Sequence, residues 1–261
     1  MNYIILLISF FLCTIPVFAA PVGSYTAYMT STDAYRASQT EFTTARSEYK
    51  SFKTLTSEQK ALDTAKQMMI KRNLMLTAYL TFLTDTIDQT STFSPAAKAA
   101  HKGAITNELT FYNFNSGKTQ AVHSIDDAIT TNKDYEKRIA DSLTVMGKAG
   151  LMITVGRLAV AGARYSDALL EVTAAVNAKR PTLSSSSVNN YEQWLLKIKN
   201  KQTVYDSTIA AATTAIDALD AGSENELTRK VSQIQGQLAN AKQYLSDGMT
   251  YMNELTNALA Q

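Results

Sequence analysis

Residues 27–52 read AYMTSTDAYRASQTEFTTARSEYKSF, and an aromatic ring returns in them every seventh residue: Tyr28, Tyr35, Phe42 and Tyr49. Seven residues are two turns of an α-helix with a drift of only about 20° per heptad, so these rings line one helix face. Tyr25, Thr32, Gln39 and Arg46 form a more polar edge beside them. A half-buried strand would need period-two alternation, which no stretch of the chain has. The spacing predicts one amphipathic helix over residues 24–53.

The rest of the chain repeats the pattern. Thr56 and Gln59 of TSEQ have capping-box spacing. They precede Leu62, Met69, Leu76 and Leu83, with Ala65, Asn73, Leu80 and Ile87 alongside. Ser94-Pro95 predicts an N-cap and a first-turn proline, and Gly117 a left-handed helix end. From Thr119 no strong stop appears before AKRP at 178–181, with Thr130–Asn132 and Gly147–Gly150 as weak points. PTLSSSSVNN, 181–190, reads as a Ser-rich loop.

Two seams follow at 4-3-4-3 spacing. One runs Tyr191, Leu195, Ile198, Gln202, Tyr205, Ile209, Ala212, Ile216, Leu219, and the other runs from Leu227 to Leu259. Gly222 and the Ser223/Glu226 pair between them predict a short turn, and hence an antiparallel helical hairpin over 191–260. The expected fold is all-α: one elongated domain, residues 20–261, of five or six long amphipathic helices with coiled-coil-like heptad packing.

Composition supplies an address. Residues 1–19, MNYIILLISFFLCTIPVFA, carry no charged side chain and end on a small residue, which predicts a signal peptide. Cys13, the chain's one cysteine, falls inside that segment, so cleavage leaves no thiol or disulfide. No asparagine heads an Asn-x-Ser/Thr sequon. These features point to a secreted or cell-envelope protein, periplasmic or cell-surface, of bacterial type. The net charge of +2 comes from 25 basic and 23 acidic residues that are interspersed, so no field draws nucleic acid.

Catalytic and metal motifs are missing from the sequence. His101 and His123 lack the Glu-x-x-His spacing of bundle metal sites, with Lys98 and Gln120 three residues before them. Asp85/Asp88 and Asp126/Asp127 lie at helix ends or on polar faces, where charge is solvated. There is no G-x-S-x-G elbow and no glycine-rich phosphate loop. The reading is a non-enzyme with no catalytic, cofactor-binding or metal-binding residues and no cofactor.

Two stretches carry a functional reading beside a structural one. In NNYEQWLLKIKNKQ, Trp194, Lys197 and Lys201 share a face beside the seam, which is either a core-edge tryptophan flanked by snorkelling lysines, the favoured reading, or a contact spot for an acidic protein partner. In LTVMGKAGLMITVGRLAVAGA, 143–163, two seams overlap, and Leu151, Ile153, Val155, Leu158 and Val160 make the helix apolar on most sides. Such a helix is the core of a bundle or a membrane element. Lys148 and Arg157 favour the core, because each costs about 2.5–3.5 kcal/mol at a bilayer centre.

A secreted, cysteine-free bundle hiding one apolar segment resembles the α-helical pore-forming toxins. The likeness lies in organisation, and it carries no residue across. The expected role is an exported, non-enzymatic interaction or structural module with an unknown protein partner. Homo-oligomers are compatible with the seams. Membrane activity through 143–163 is the alternative.

Overall fold

The computed structural model describes residues 21–182 and 184–260. The expected signal peptide, 1–19, lies outside the described residues. Among the described residues are six long helices and no strand: α1 (Val22–Phe52), α2 (Leu55–Gln89), α3 (Pro95–Gln120), α4 (Ile125–Lys179), α5 (Ser185–Asp217) and α6 (Glu224–Ala260). The protein is an all-α helical bundle.

Threonine and serine disfavour helices because their hydroxyls compete for backbone groups. Here the competition is settled inside the helix. Thr32, Thr86 and Thr119 donate to the carbonyl four residues back, at 2.9, 2.7 and 2.8 Å. They can therefore be buried with the donor satisfied.

The helix ends differ from the sequence reading in four places, each for a local reason. The box that opens α2 is Thr54–Ser57, two residues before Thr56. Ser57 N–H donates to Thr54 Oγ1 at 3.2 Å, and Thr54 N–H donates to Ser57 Oγ at 3.0 Å. Gln59 bonds Asp63 at 3.0 Å instead of capping.

Gly117 does not end α3, which keeps Thr119 buried in its last turn and runs to Gln120. No described glycine has a positive φ. The stop is a Ser124–Asp127 box: Asp127 N–H donates to Ser124 Oγ at 3.1 Å, and the Asp127 carboxylate accepts from His123 N–H at 3.1 Å. That backbone bond, with the serine bond next, holds the Asp127 carboxyl below its usual range. Accordingly α4 starts at Ile125 rather than Thr119, and it runs unbroken for 55 residues, about 80 Å.

The fourth difference is the Ser-rich stretch. A 3-10 turn occupies Arg180–Thr182, and α5 starts at Ser185, capped by Ser184 Oγ accepting from Ser187 N–H at 3.2 Å. The predicted loop 181–190 is thus helical from Ser185, because the serines serve as caps. Ser94 and Pro95 start α3 as expected, with Ala97 N–H on Ser94 Oγ at 3.2 Å.

Lys53, between α1 and α2, has φ 49° and ψ 35°, and its N–H donates to Tyr49 O at 2.9 Å. A side chain in this left-handed region costs about 1–2 kcal/mol. Lys53→Gly removes that cost, and glycine's extra freedom in the unfolded chain offsets part of the gain. The expected net effect is about 0.5–1 kcal/mol of added stability by denaturant titration. A loss would show that the lysine side chain itself holds the turn.

The helices form two compact units. The first holds α1, α2, α3 and α4 as far as Gly150. Its successive helices run antiparallel, as descending partner numbers show. Tyr25 meets Phe82 and Tyr28 meets Tyr79 (ring centroids 5.7 and 5.0 Å), while Glu48 pairs with Lys60. Asp88 pairs with Lys102, and Lys118 with Asp134, each at 2.8 Å. Tyr28 and Tyr35 of the opening heptad are buried with Thr32, Ser38 and Ala45, whereas Phe42 and Tyr49 are half-buried. The buried stripe therefore includes part of the edge read as polar.

The second unit holds α4 from Leu151, α5 and α6. Tyr191 reaches Ala258 O (3.1 Å), and Lys201 pairs with Asp247 (2.7 Å), so α5 and α6 form an antiparallel hairpin. Its link is residues 218–223, longer than the turn expected. All ten seam positions of α6 from Leu227 to Leu259 are buried, Gly248 among them.

Two tyrosines fix this unit by reaching a neighbouring backbone. Tyr165 donates to Ile198 O at 2.8 Å and Tyr205 to Leu158 O at 2.7 Å, and burial pushes both hydroxyls up to about 12. Each ring lies over a glycine. A Cβ on Gly248 would stand 2.0 Å from Tyr165 Oη, and one on Gly162 would stand 2.6 Å from Tyr205 Oη. Tyr165 can make room only by leaving Ile198. Gly248→Ala should therefore cost about 2–3 kcal/mol, the range of overpacking. Gly236, with nothing within 4 Å, supplies the control. Gly236→Ala should raise stability by about 0.5–1 kcal/mol through helix propensity alone. Similar signs for the two would refute the Tyr165–Gly248 contact.

Candidate functional site

The feature the sequence reading missed is a polar cluster inside the first unit. α2 contributes Arg72 and Asn73, α3 contributes Glu108 and Asn115, and α4 contributes Tyr135 and Ser142, all buried. Arg72 and Asn73 stand where Met69, Leu76 and Leu80 predict apolar side chains, and Tyr135 and Ser142 occupy inward turns of α4. Asn73, a polar residue in the predicted seam with Arg72 beside it, was the available signal.

Glu108, 1% exposed, is fully engaged. It accepts from Ser142 Oγ at 2.5 Å and from Arg138 Nε at 3.3 Å, and it bonds Arg138 Nη2. Arg138 also touches Asp141 at 3.3 Å and keeps about a third of its side chain in solvent. The hydrogen bond that Arg138 donates to Glu108 raises its guanidinium above its usual range.

Arg72, 3% exposed, is held differently. Its guanidinium carbon lies 3.3 Å from the centroid of the Tyr135 ring. Nη1 donates to Asn132 Oδ1 at 2.8 Å, and Asn132 Nδ2 donates to Glu136 Oε1 at 2.7 Å. Asn115 Nδ2 reaches Asn73 Oδ1 at 3.4 Å. Burial lowers the Arg72 guanidinium below its usual range. Burial also raises the Tyr135 phenol.

The sequence-predicted contact residues sit in the second unit. Trp194 is half-buried, its ring edge-on to Tyr251 with centroids 6.4 Å apart. Lys201 pairs with Asp247 and lies 5.5 Å from the centroid of the Tyr244 ring. The lysine's hydrogen bond, with that of Gln243 next, keeps the Asp247 carboxyl below its usual range. Lys197 is exposed. The two lysines therefore differ: one is tied into the hairpin and one is open.

Of the apolar-segment residues, Leu151, Ile153 and Leu158 are buried, whereas Val155 and Val160 are half-buried. Arg157 is also half-buried, and burial lowers its guanidinium. Among the described residues one helix is long and apolar enough to cross a membrane, and 61% of its apolar 18-residue stretch is buried inside the fold. A buried core helix meets the same length and composition criteria.

His101 packs its ring 5.8 Å from Phe93, and His123 is exposed in the α3–α4 link. Asp88 and Asp127 serve as an ion-pair partner and a cap. No group of three or more His, Cys, Asp or Glu side chains able to hold a metal occurs among the described residues. No protein-family model matches the chain, and no curated protein or solved structure shows significant similarity to it.

Proposed function

We propose that this chain is an exported, non-enzymatic helical module that works by contact at the cell envelope or outside the cell. The observation that carries the reading is the prepared outer face of α5–α6. Trp194 is braced by Tyr251, Lys201 is fixed by Asp247, and Lys197 is open one turn away. Contact groups already held in place on paired helices lose little side-chain entropy on binding. Tryptophan with nearby cations suits an acidic protein surface. The uncharged leader 1–19 supports export.

A photo-crosslinker placed at Lys197 in the producing cell, with Lys199 as control, tests the reading. Both positions are exposed on α5, about 200° apart around the helix. A discrete adduct from position 197 and none from 199, formed outside the cytoplasm, is expected. Cytoplasmic retention, or equal labelling from both positions, would overturn it.

The second reading takes 143–163 as a membrane element in store. The length and apolarity of its helix favour it.

A further inference from the structure

The turn between α1 and α2 holds two large apolar side chains in water. Phe52 ends α1 and is 71% exposed, and Leu55 begins α2 and is 83% exposed. Only Lys53 and Thr54 separate them, and every residue from 51 to 56 is exposed. The apex is firmly built, with Lys53 N–H bonded to Tyr49 O and the Thr54–Ser57 box closing the first turn of α2. Within the first unit it also projects. Lys66 Nζ donates to Val122 O at 3.3 Å, so the α3–α4 link lies beside Lys66. By helical rise, Leu55 stands about 16 Å beyond that level along α2.

The charge around this apex is net positive. Residues 46–60 hold Arg46, Lys50, Lys53 and Lys60 against Glu48 and Glu58. Glu48 is taken up by Lys60 at 2.7 Å. Arg46, Lys50 and Lys53 are exposed, whereas Glu58 is half-buried.

We propose that the α1–α2 apex seats this protein on an anionic lipid surface. Phe52 and Leu55 enter the boundary between headgroups and acyl chains, and Lys50 and Lys53 meet the headgroups. That interface rewards apolar burial and positive charge together, and a convex tip offers both at once. A protein partner fits less well, because the exposed apex of residues 51–56 falls far short of the roughly 20–30 residues a side that a stable protein interface takes. The same shortfall argues against a second copy docked tip to tip. Phe114 and Leu170 are similarly exposed, at 65% and 70%, but each stands alone within α3 or α4, where a single exposed apolar residue is ordinary. The apex is separate from the α5–α6 contact face, so either can fail alone. Seating also differs from insertion of 143–163, because it leaves the core helix in place and the bilayer sealed.

The test is co-sedimentation of the purified protein with vesicles of equal parts phosphatidylglycerol and phosphatidylcholine, and with phosphatidylcholine alone. Binding to the anionic vesicles is expected, weakening about tenfold or more as salt rises from about 0.1 M to about 1 M. Phe52→Ser with Leu55→Ser should weaken it about tenfold or more, through lost apolar burial. Phe114→Ser with Leu170→Ser removes the same two residue types elsewhere and should bind as wild type does. An environment-sensitive fluorophore at position 55 should shift to the blue on anionic vesicles, and one at position 170 should not. That local readout holds even if a double variant fails to fold. No binding to anionic vesicles, an unshifted fluorophore at 55, or full binding by a folded tip variant would overturn the proposal. Binding equal on phosphatidylcholine alone and indifferent to salt would overturn the role of the lysines. A discrete protein adduct from a photo-crosslinker at position 52, without vesicle binding, would replace the lipid surface with a protein partner.

Discussion

Leu238→Asp should cost about 5 kcal/mol or more, enough to unfold the second unit under ordinary conditions. Leu238 is 3% exposed in the α6 seam. Its removal forfeits about 1.5–3 kcal/mol of burial. The carboxylate then adds several kcal/mol of desolvation with no cation in the seam to offset it. The sum rivals the whole stability of a typical domain, about 5–15 kcal/mol. Asn240→Asp, two residues on, places the same charge on an exposed position and should stay within about 0.5 kcal/mol. Denaturant midpoints of the two variants decide the matter. Equal effects would mean that α6 does not bury the face assigned to it.

The second large effect belongs to the polar cluster, and it is asymmetric. Arg138→Met strands the Glu108 carboxylate at 1% exposure with only the Ser142 hydroxyl beside it. Breaking a buried pair from the solvated side costs about 3–5 kcal/mol. Glu108→Leu leaves Arg138 with about a third of its side chain in solvent, where water and Asp141 can serve it, and should cost clearly less. The double variant removes both charges and should recover most of the Arg138→Met loss, because a well-filled apolar pair replaces an ion pair at little cost. Additive losses across the cycle would show that the two side chains do not interact.

The parts of this molecule that repeat were legible in its sequence. The α6 seam is buried at every predicted position because each step of a 4-3 pattern votes for the same face, and exposing one face would cost all of them. The opening heptad was read less well. Thr32, Ser38 and Ala45 are buried while Phe42 and Tyr49 are half-exposed, since a short hydroxyl that bonds its own helix fits a tight contact where a ring does not. Caps failed by a few residues for a related reason. Thr54, Thr56 and Ser57 all offer hydroxyls, and which one caps depends on how short the link to α1 must be. The cluster around Arg72 was not read because its members lie on three helices, and spacing along one helix says nothing of what faces it. The pairing of Lys201 with Asp247 was not legible either, because it requires α6 to be in register with α5.

Whether this is a contact module or a stored membrane element comes down to dye release from anionic liposomes by the purified protein. Leu151, Ile153 and Leu158 are held inside the fold, and each large buried side chain contributes about 1.5–3 kcal/mol to keeping 143–163 there. The prediction is no release by wild type, together with loss of folding in Leu158→Asp. Release by wild type at sub-micromolar protein, abolished in a Leu158→Asp variant that remains soluble and folded, would contradict it.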